Sequence, residues 1–157
     1  MDIEGIKAVS KVPIDRSVFG LDEMRRPRDG ERPMWVDLPM DGAPVIVGQS
    51  AVRFLSNAQS HDALVEVEVC ADLPKATGDD FELLGEWPYT SASGDMLLCN
   101  LDGPELHFRL AEDSTYLLRV WRKGGDSSAE RFDELLGDVF PIIGLEEYRI
   151  VFTPTDI

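Results

Sequence analysis

Alternation of apolar and polar positions runs through most of this chain. In Leu64–Cys70 the residues Val65, Val67 and Val69 fall on one face and Glu66 and Glu68 on the other. That is the two-residue period of a half-buried strand with an acidic outer face. Glu105–Leu110 repeats it, with Leu106, Phe108 and Leu110 inward and His107 and Arg109 outward. Thr115–Arg122 places Tyr116, Leu118 and Val120 opposite Leu117, Arg119 and Trp121, so both faces are partly apolar and an interior strand is expected. Glu146–Thr153 sets Tyr148, Ile150 and Phe152 against Arg149 and Val151. Weaker strand patterns lie at Lys7–Val12, Arg16–Leu21, Pro44–Val47, Ala51–Leu55, Phe81–Trp87 and Asp95–Leu101. Turn signals separate them at Gly78-Asp79, Ser93-Gly94-Asp95, Asp102-Gly103-Pro104 and Gly124-Gly125.

One stretch has helical spacing. Ser127-Ser128-Ala129-Glu130 fits a capping box, Phe132, Leu135 and Leu136 recur at three and four residues, and Gly137 ends the pattern. Many short strands, these turns and a single helix predict a mainly β fold: an antiparallel β-sandwich or open barrel with one short helix before the last strand. Residues 1–157 read as a single domain. Within it residues 24–42, interrupted by Pro27, Pro33 and Pro39, read as a long surface loop.

Charge narrows the choice of partner. Thirty Asp and Glu face fifteen Lys and Arg, a formal net charge of −15 at pH 7, with a sequence pI near 4.4. Repulsion opposes nucleic acid and anionic membrane, and a negative surface steers toward a basic partner. The acids are uneven: residues 62–86 and 124–147 hold fifteen of the thirty carboxylates but only Lys75 and Arg131 as bases. Four arginines cluster instead at Arg25, Arg26, Arg28 and Arg32. Such crowding predicts that mild acid relieves repulsion within the fold. No segment reaches the ~20 consecutive apolar residues of a membrane helix, and the N-terminal segment lacks the pattern of a secretory signal. Cys70 and Cys99 sit inside apolar runs, as buried thiols do in a reducing compartment. A cytoplasmic protein is expected.

Residues with the spacing of catalytic chemistry are few. Neither His61 nor His107 has a second His or Cys at metal-ligand spacing. Ser60-His61-Asp62 holds the residue types of a hydrolase triad, but neighbours on an extended segment point to alternate faces and cannot form the relay. Asp79-Asp80-Phe81-Glu82 lacks the spacing and the glycine of a calcium loop and reads as a solvated acidic turn. Neither a metal nor a cofactor is expected, and no residue is assigned to catalysis.

The run Glu105–Leu110, then Ala111–Trp121, then a short acidic insert and Glu147–Phe152 resembles the C-terminal half of the competence protein J family. Val65–Cys70 with Asp79–Glu82 also resembles a strand-turn-strand unit of small actinobacterial-type proteins of the same design, so the likeness covers about residues 60–153. The resemblance implies a small acidic bacterial protein that inhibits a DNA-entry nuclease; it carries over no inhibitory residue and offers no counterpart for the longer N-terminal part.

The resulting expectation is a binding protein of the inhibitor or immunity type, one that neutralises a basic partner such as a nuclease or nuclease toxin. The acidic contact residues expected are Asp126, Glu130, Asp133, Glu134 and Asp138, with Asp79, Asp80 and Glu82 as a second patch. Trp35, Trp87, Tyr89 and Trp121 are candidate aromatic anchors. The alternative is a β-sandwich module binding a small ligand or carbohydrate on a face lined by those aromatics. A third class, a hydrolase, requires buried polar residues converging on His61 or His107.

Overall fold

The computed structural model describes residues 6–24, 35–39, 41–48, 50–71 and 80–155. Among these, ten strands and one α-helix follow in order: β1 (Ile6–Ile14), β2 (Val18–Glu23), β3 (Val45–Gly48), β4 (Ala51–Leu55), β5 (His61–Val69), β6 (Phe81–Ser91), β7 (Asp95–Asn100), β8 (Gly103–Arg109), β9 (Ser114–Lys123), α1 (Ser128–Leu135) and β10 (Ile143–Pro154). Every segment with strand periodicity forms a strand, and the helix lies before the last of them. Among the described residues no helix is long and apolar enough to cross a membrane.

The strands form two five-stranded sheets, ordered β1-β5-β10-β9-β6 and β3-β4-β2-β7-β8. Neither closes into a barrel. The pairing is antiparallel except for β10 with β5, which run parallel from Tyr148↔Val65 to Phe152↔Val69. Interior position explains why β9 carries apolar groups on both faces: it pairs β10 on one side and β6 on the other.

The inward rows of both sheets meet in one core. Val65, Val67 and Val69 of β5, Tyr116, Leu118 and Val120 of β9, and Tyr148, Ile150 and Phe152 of β10 pack against Phe19, Leu21, Phe54, Met96 and Leu98 of the second sheet. Phe19 stacks on Phe54 at 4.7 Å between ring centroids, and the edge of Tyr148 meets Phe19 at 4.9 Å. Fully burying one such side chain contributes about 1.5–3 kcal/mol, so this shared core dominates the stability of the sandwich.

The second sheet is covered on its outer face as well. A 3-10 turn at Trp35–Asp37 lays Trp35 against Val18, Ala51 and Cys99. A Cβ on Gly20 would stand 2.4 Å from the Trp35 ring, so only glycine admits this contact. The buried guanidinium of Arg53 donates to the Leu38 carbonyl at 2.5 Å and to that of Pro39. Trp35 and Leu38, within the stretch read as a surface loop, are thus packed against this face, while Val36 stays exposed. The Arg25–Arg32 cluster lies outside the described residues.

Candidate partner-binding face

The helix α1 sits at one end of the sandwich because its two apolar residues at a three-residue spacing have a place to go. Phe132 and Leu135 pack on a small cluster of Ala58, Ile142 and Leu145, separate from the main core. Its start is not held by the expected capping box: the Ser127 side chain makes no cap hydrogen bond. Ser128 does that work, donating at 2.5 Å to the fully buried carboxylate of Glu146. The same carboxylate accepts the Asn57 backbone N–H at 2.9 Å and the Tyr148 hydroxyl at 2.5 Å. Burial, and after it the Glu146 charge, hold the Tyr148 phenol well above its ordinary pKa, so it stays protonated and donates. Asn57 in turn donates to the Gly125 carbonyl at 2.6 Å. One carboxylate thus joins the loop after β4, the start of α1 and strand β10.

This mounting turns the charged side of α1 to solvent. Glu130, Asp133 and Glu134 are exposed, as are Asp126 before the helix and Asp138 after it. None of the five forms an ion pair among the described residues. Several acids elsewhere are compensated. Of the second expected patch, Glu82 pairs with Arg122 at 3.1 Å, Asp80 lies 3.9 Å from the Lys123 amine, and Asp79 falls outside the described residues. On β5, Glu66 and Glu68 flank Arg149 at 3.1 and 2.9 Å, so that face is not a free acidic surface. Glu86 pairs with Arg119.

Beside α1 opens a groove of about 500 Å³. Its walls are the end of β1 with Asp15, the start of β5 with His61 and Asp62, Asp102 in the β7–β8 turn, and residues 136–142. The segment 136–143 exposes four apolar side chains, Leu136 by 62%, Val139 by 45%, Ile143 by 49% and Phe140 by 97%, while Ile142 is buried. Leu136, expected on the buried stripe of the helix, lies past its last turn, where Gly137 with φ +91° redirects the chain.

His61 forms part of the wall but is itself buried, with Nε2 2.9 Å from the Ser56 hydroxyl. Burial lowers its pKa, against the pull of Glu146 and then Asp62. Buried polar groups therefore do gather near His61. Yet Ser56 is buried outside the groove wall and its oxygen accepts the Ala58 N–H at 3.0 Å. His61 Nδ1 finds no hydrogen-bond partner among the described residues, so no carboxylate orients the ring as a hydrolytic relay needs. His107, half-exposed at the side chain, stands 3.6 Å from Asp95. No three His, Cys, Asp or Glu side chains among the described residues are grouped as a metal-ligand set.

The four aromatic candidates do not share a face. Trp35 is buried under the 3-10 turn and Tyr89 in the main core, where its ring meets Phe152 at 5.7 Å. Trp87 is half-buried against the same core, and Trp121, also half-buried, lies on the outer side of β9. Packing has claimed the first two, and Trp35 and Trp121 lie on opposite outer faces of the sandwich. The exposed aromatic is Phe140, which periodicity does not single out.

No family profile and no curated protein matches this sequence. Among solved structures, the chain is similar in fold to ComJ from Bacillus subtilis, described as an inhibitor of the DNA degrading activity of NucA. The two share 13% identity with a TM-score of 0.63, over 94% of this chain and 96% of that one. A protein described as crocagin biosynthetic gene J is also similar, at 15% identity and a TM-score of 0.52, over 96% of this chain and 99% of that one. The competence protein J resemblance seen in the sequence is thus matched by a shared fold, and it extends beyond residues 60–153 into the N-terminal strands.

Proposed function

We propose that this chain, one domain over residues 1–157, is a cytoplasmic binding protein that inhibits a basic partner, most directly a nuclease or nuclease toxin. The observation that carries this reading is the helix α1 and its flanks, where Asp126, Glu130, Asp133, Glu134 and Asp138 stand exposed without a cation partner among the described residues. Nucleases present basic clefts to phosphate, and a rigid acidic end of a sandwich matches such a cleft in charge. The fold shared with an inhibitor of NucA supports the same direction and favours a protein that blocks chemistry over one that performs it. The free thiols of Cys70 and Cys99 fit a reducing compartment. The small-ligand alternative loses its basis with the dispersal of Trp35, Trp87, Tyr89 and Trp121.

The test compares two variants of equal charge. Glu130→Gln, Asp133→Asn and Glu134→Gln together raise the net charge by three. Val9→Lys, Thr90→Lys and Thr155→Lys, all exposed positions on the strands or the C-terminal segment, raise it by the same amount. If α1 is the contact face, the first triple slows association with the nuclease roughly tenfold and the second by much less. Equal losses would reduce the effect to long-range attraction, and no loss in either would leave the acidity to solubility alone.

A further inference from the structure

Five of the nine exposed large apolar side chains of the described residues are scattered, but the other four, Leu136, Val139, Phe140 and Ile143, fall within eight residues beside the groove at the end of α1. A chain that buries its apolar groups as thoroughly as this one does not expose four together, one by 97%, without a use for them. The segment is also held at both ends. The Val139 N–H donates to the Leu135 carbonyl at 3.1 Å, and the Asp62 N–H to the Ile142 carbonyl at 2.7 Å. Phe140 is thereby displayed on a fixed support, which lowers the entropy lost on binding.

The groove it overlooks has a matching chemistry. Asp15, Asp62, Asp102 and Asp138 contribute to its wall, no Lys or Arg does, and none of these carboxylates forms an ion pair among the described residues. His61, kept neutral by burial, adds no positive charge at pH 7. Four carboxylates around an apolar floor repel an acidic or nucleic-acid occupant and favour a cation carried on an apolar stem, as Lys and Arg side chains are. A second copy of this chain, itself at −15, is a poor match.

We infer that this groove is the point at which the basic partner docks: a Lys- or Arg-bearing segment of the partner enters between the aspartates while Phe140 fills an apolar recess on the partner. The inference rests on the reading of the chain as an inhibitor of a basic protein and moves the centre of the contact from the helix face to the helix end. Such a centre, an exposed aromatic ringed by charge, is where binding energy concentrates, and α1 becomes the steering rim.

Two measurements separate the inference from the reading beneath it. In the first, benzamidinium, a small aromatic cation, is titrated into the labelled full-length protein and followed by amide chemical shifts, with benzoate as the anionic control. Shifts confined to residues 136–142, His61 and Asp62, absent with benzoate, are expected; no response there to benzamidinium overturns the inference. In the second, Phe140→Ser is compared with wild type as an inhibitor of plasmid degradation by the DNA-degrading fraction that wild type binds. A rise of about a hundredfold in the inhibition constant is expected, with an unchanged melting temperature because Phe140 contributes nothing to the core. Inhibition by Phe140→Ser within twofold of wild type would overturn the groove and leave the inhibitor reading standing. No inhibition by wild type itself would overturn both, and a wild-type dimer that Phe140→Ser dissolves would make the occupant a second copy and overturn the assigned partner.

Discussion

Removing the Glu146 carboxylate tests how the acidic end of the sandwich is built. The group is fully buried and accepts three hydrogen bonds, from Asn57 N–H, the Ser128 hydroxyl and the Tyr148 hydroxyl, at 2.9, 2.5 and 2.5 Å. Glu146→Ala strands all three donors in a dry interior. Breaking a buried charged contact on one side costs about 3–5 kcal/mol, less than the sum of three separate bonds because the loop can relax. For a chain of this size that is roughly a 10 °C fall in Tm, since 1 kcal/mol corresponds to about 2–4 °C. Glu146→Gln should cost far less, about 1–2 kcal/mol. Its oxygen can keep two donors, and the Tyr148 hydroxyl can turn to accept from the amide nitrogen. The assay is urea unfolding at pH 7 followed by circular dichroism, with hydrogen exchange of α1 amides beside it. The helix amides should lose protection before the sheets do, because Ser128 is the tie that fixes the start of α1. A Glu146→Ala variant within 1 kcal/mol of wild type, or one that loosens both sheets as much as α1, would refute this account of how the helix is mounted.

Stability should fall between pH 7 and pH 5. Burial depresses the His61 pKa in the folded state, so below about 6.5 the unfolded chain takes up a proton that the folded one resists, and folding weakens as pH drops through that window. This opposes the relief of repulsion that carboxylate crowding alone predicts, a relief that the pairing of Glu66, Glu68, Glu82 and Glu86 with arginines reduces. Thermal melts at the two pH values check it: His61→Gln should flatten the drop, and an equal drop in both proteins would assign it elsewhere. Cys99, its thiol pushed up to about 11 by burial and then by Asp22 and Glu105, should resist a thiol reagent in the native protein at pH 8 and react on unfolding. Tyr116→Phe removes the hydroxyl that accepts the Ala111 N–H at 2.7 Å and should cost about 1 kcal/mol in urea unfolding. Purified protein should show no turnover of esterase, phosphatase, nuclease or glycosidase substrates; turnover abolished by Ser56→Ala or His61→Ala would make the Ser56–His61 pair catalytic.

The sheets were legible because each strand faces the core on one side, which writes a period of two into Val65–Val69 and Tyr148–Phe152. Loop and bulge positions carry no such period. Glu146 shares the inward row of Tyr148, Ile150 and Phe152, but its charge reads as solvated, and only the packed geometry shows the Asn57, Ser128 and Tyr148 donors that bury its carboxylate. Glu23 is a similar case: at the end of β2 its buried carboxylate accepts the N–H groups of Ala92, Ser93 and Gly94, a contact made across 69 to 71 residues of chain. Exposure of apolar groups outside regular elements is equally illegible. The apolar run Val139-Phe140-Pro141-Ile142-Ile143 looks like core from composition, and only the packed geometry shows that Ile142 enters it while Phe140 stands in solvent. The acids of α1 were legible as exposed, because Phe132 and Leu135 fix which side of the helix faces inward.

The central claim, that this acidic sandwich inhibits a basic nuclease, is tested most directly by degradation of plasmid DNA. The host's own DNA-degrading activity, enriched by its retention on a cation-exchange resin, is assayed with increasing amounts of the purified protein at low and at high salt. The account predicts stoichiometric loss of degradation at low salt, recovered as salt screens the contact, and lost again with Glu130→Gln, Asp133→Asn and Glu134→Gln only at higher protein concentration. Degradation that continues unchanged in the presence of excess protein, at a salt concentration where exposed charges act across the Debye length of about 10 Å, would contradict it.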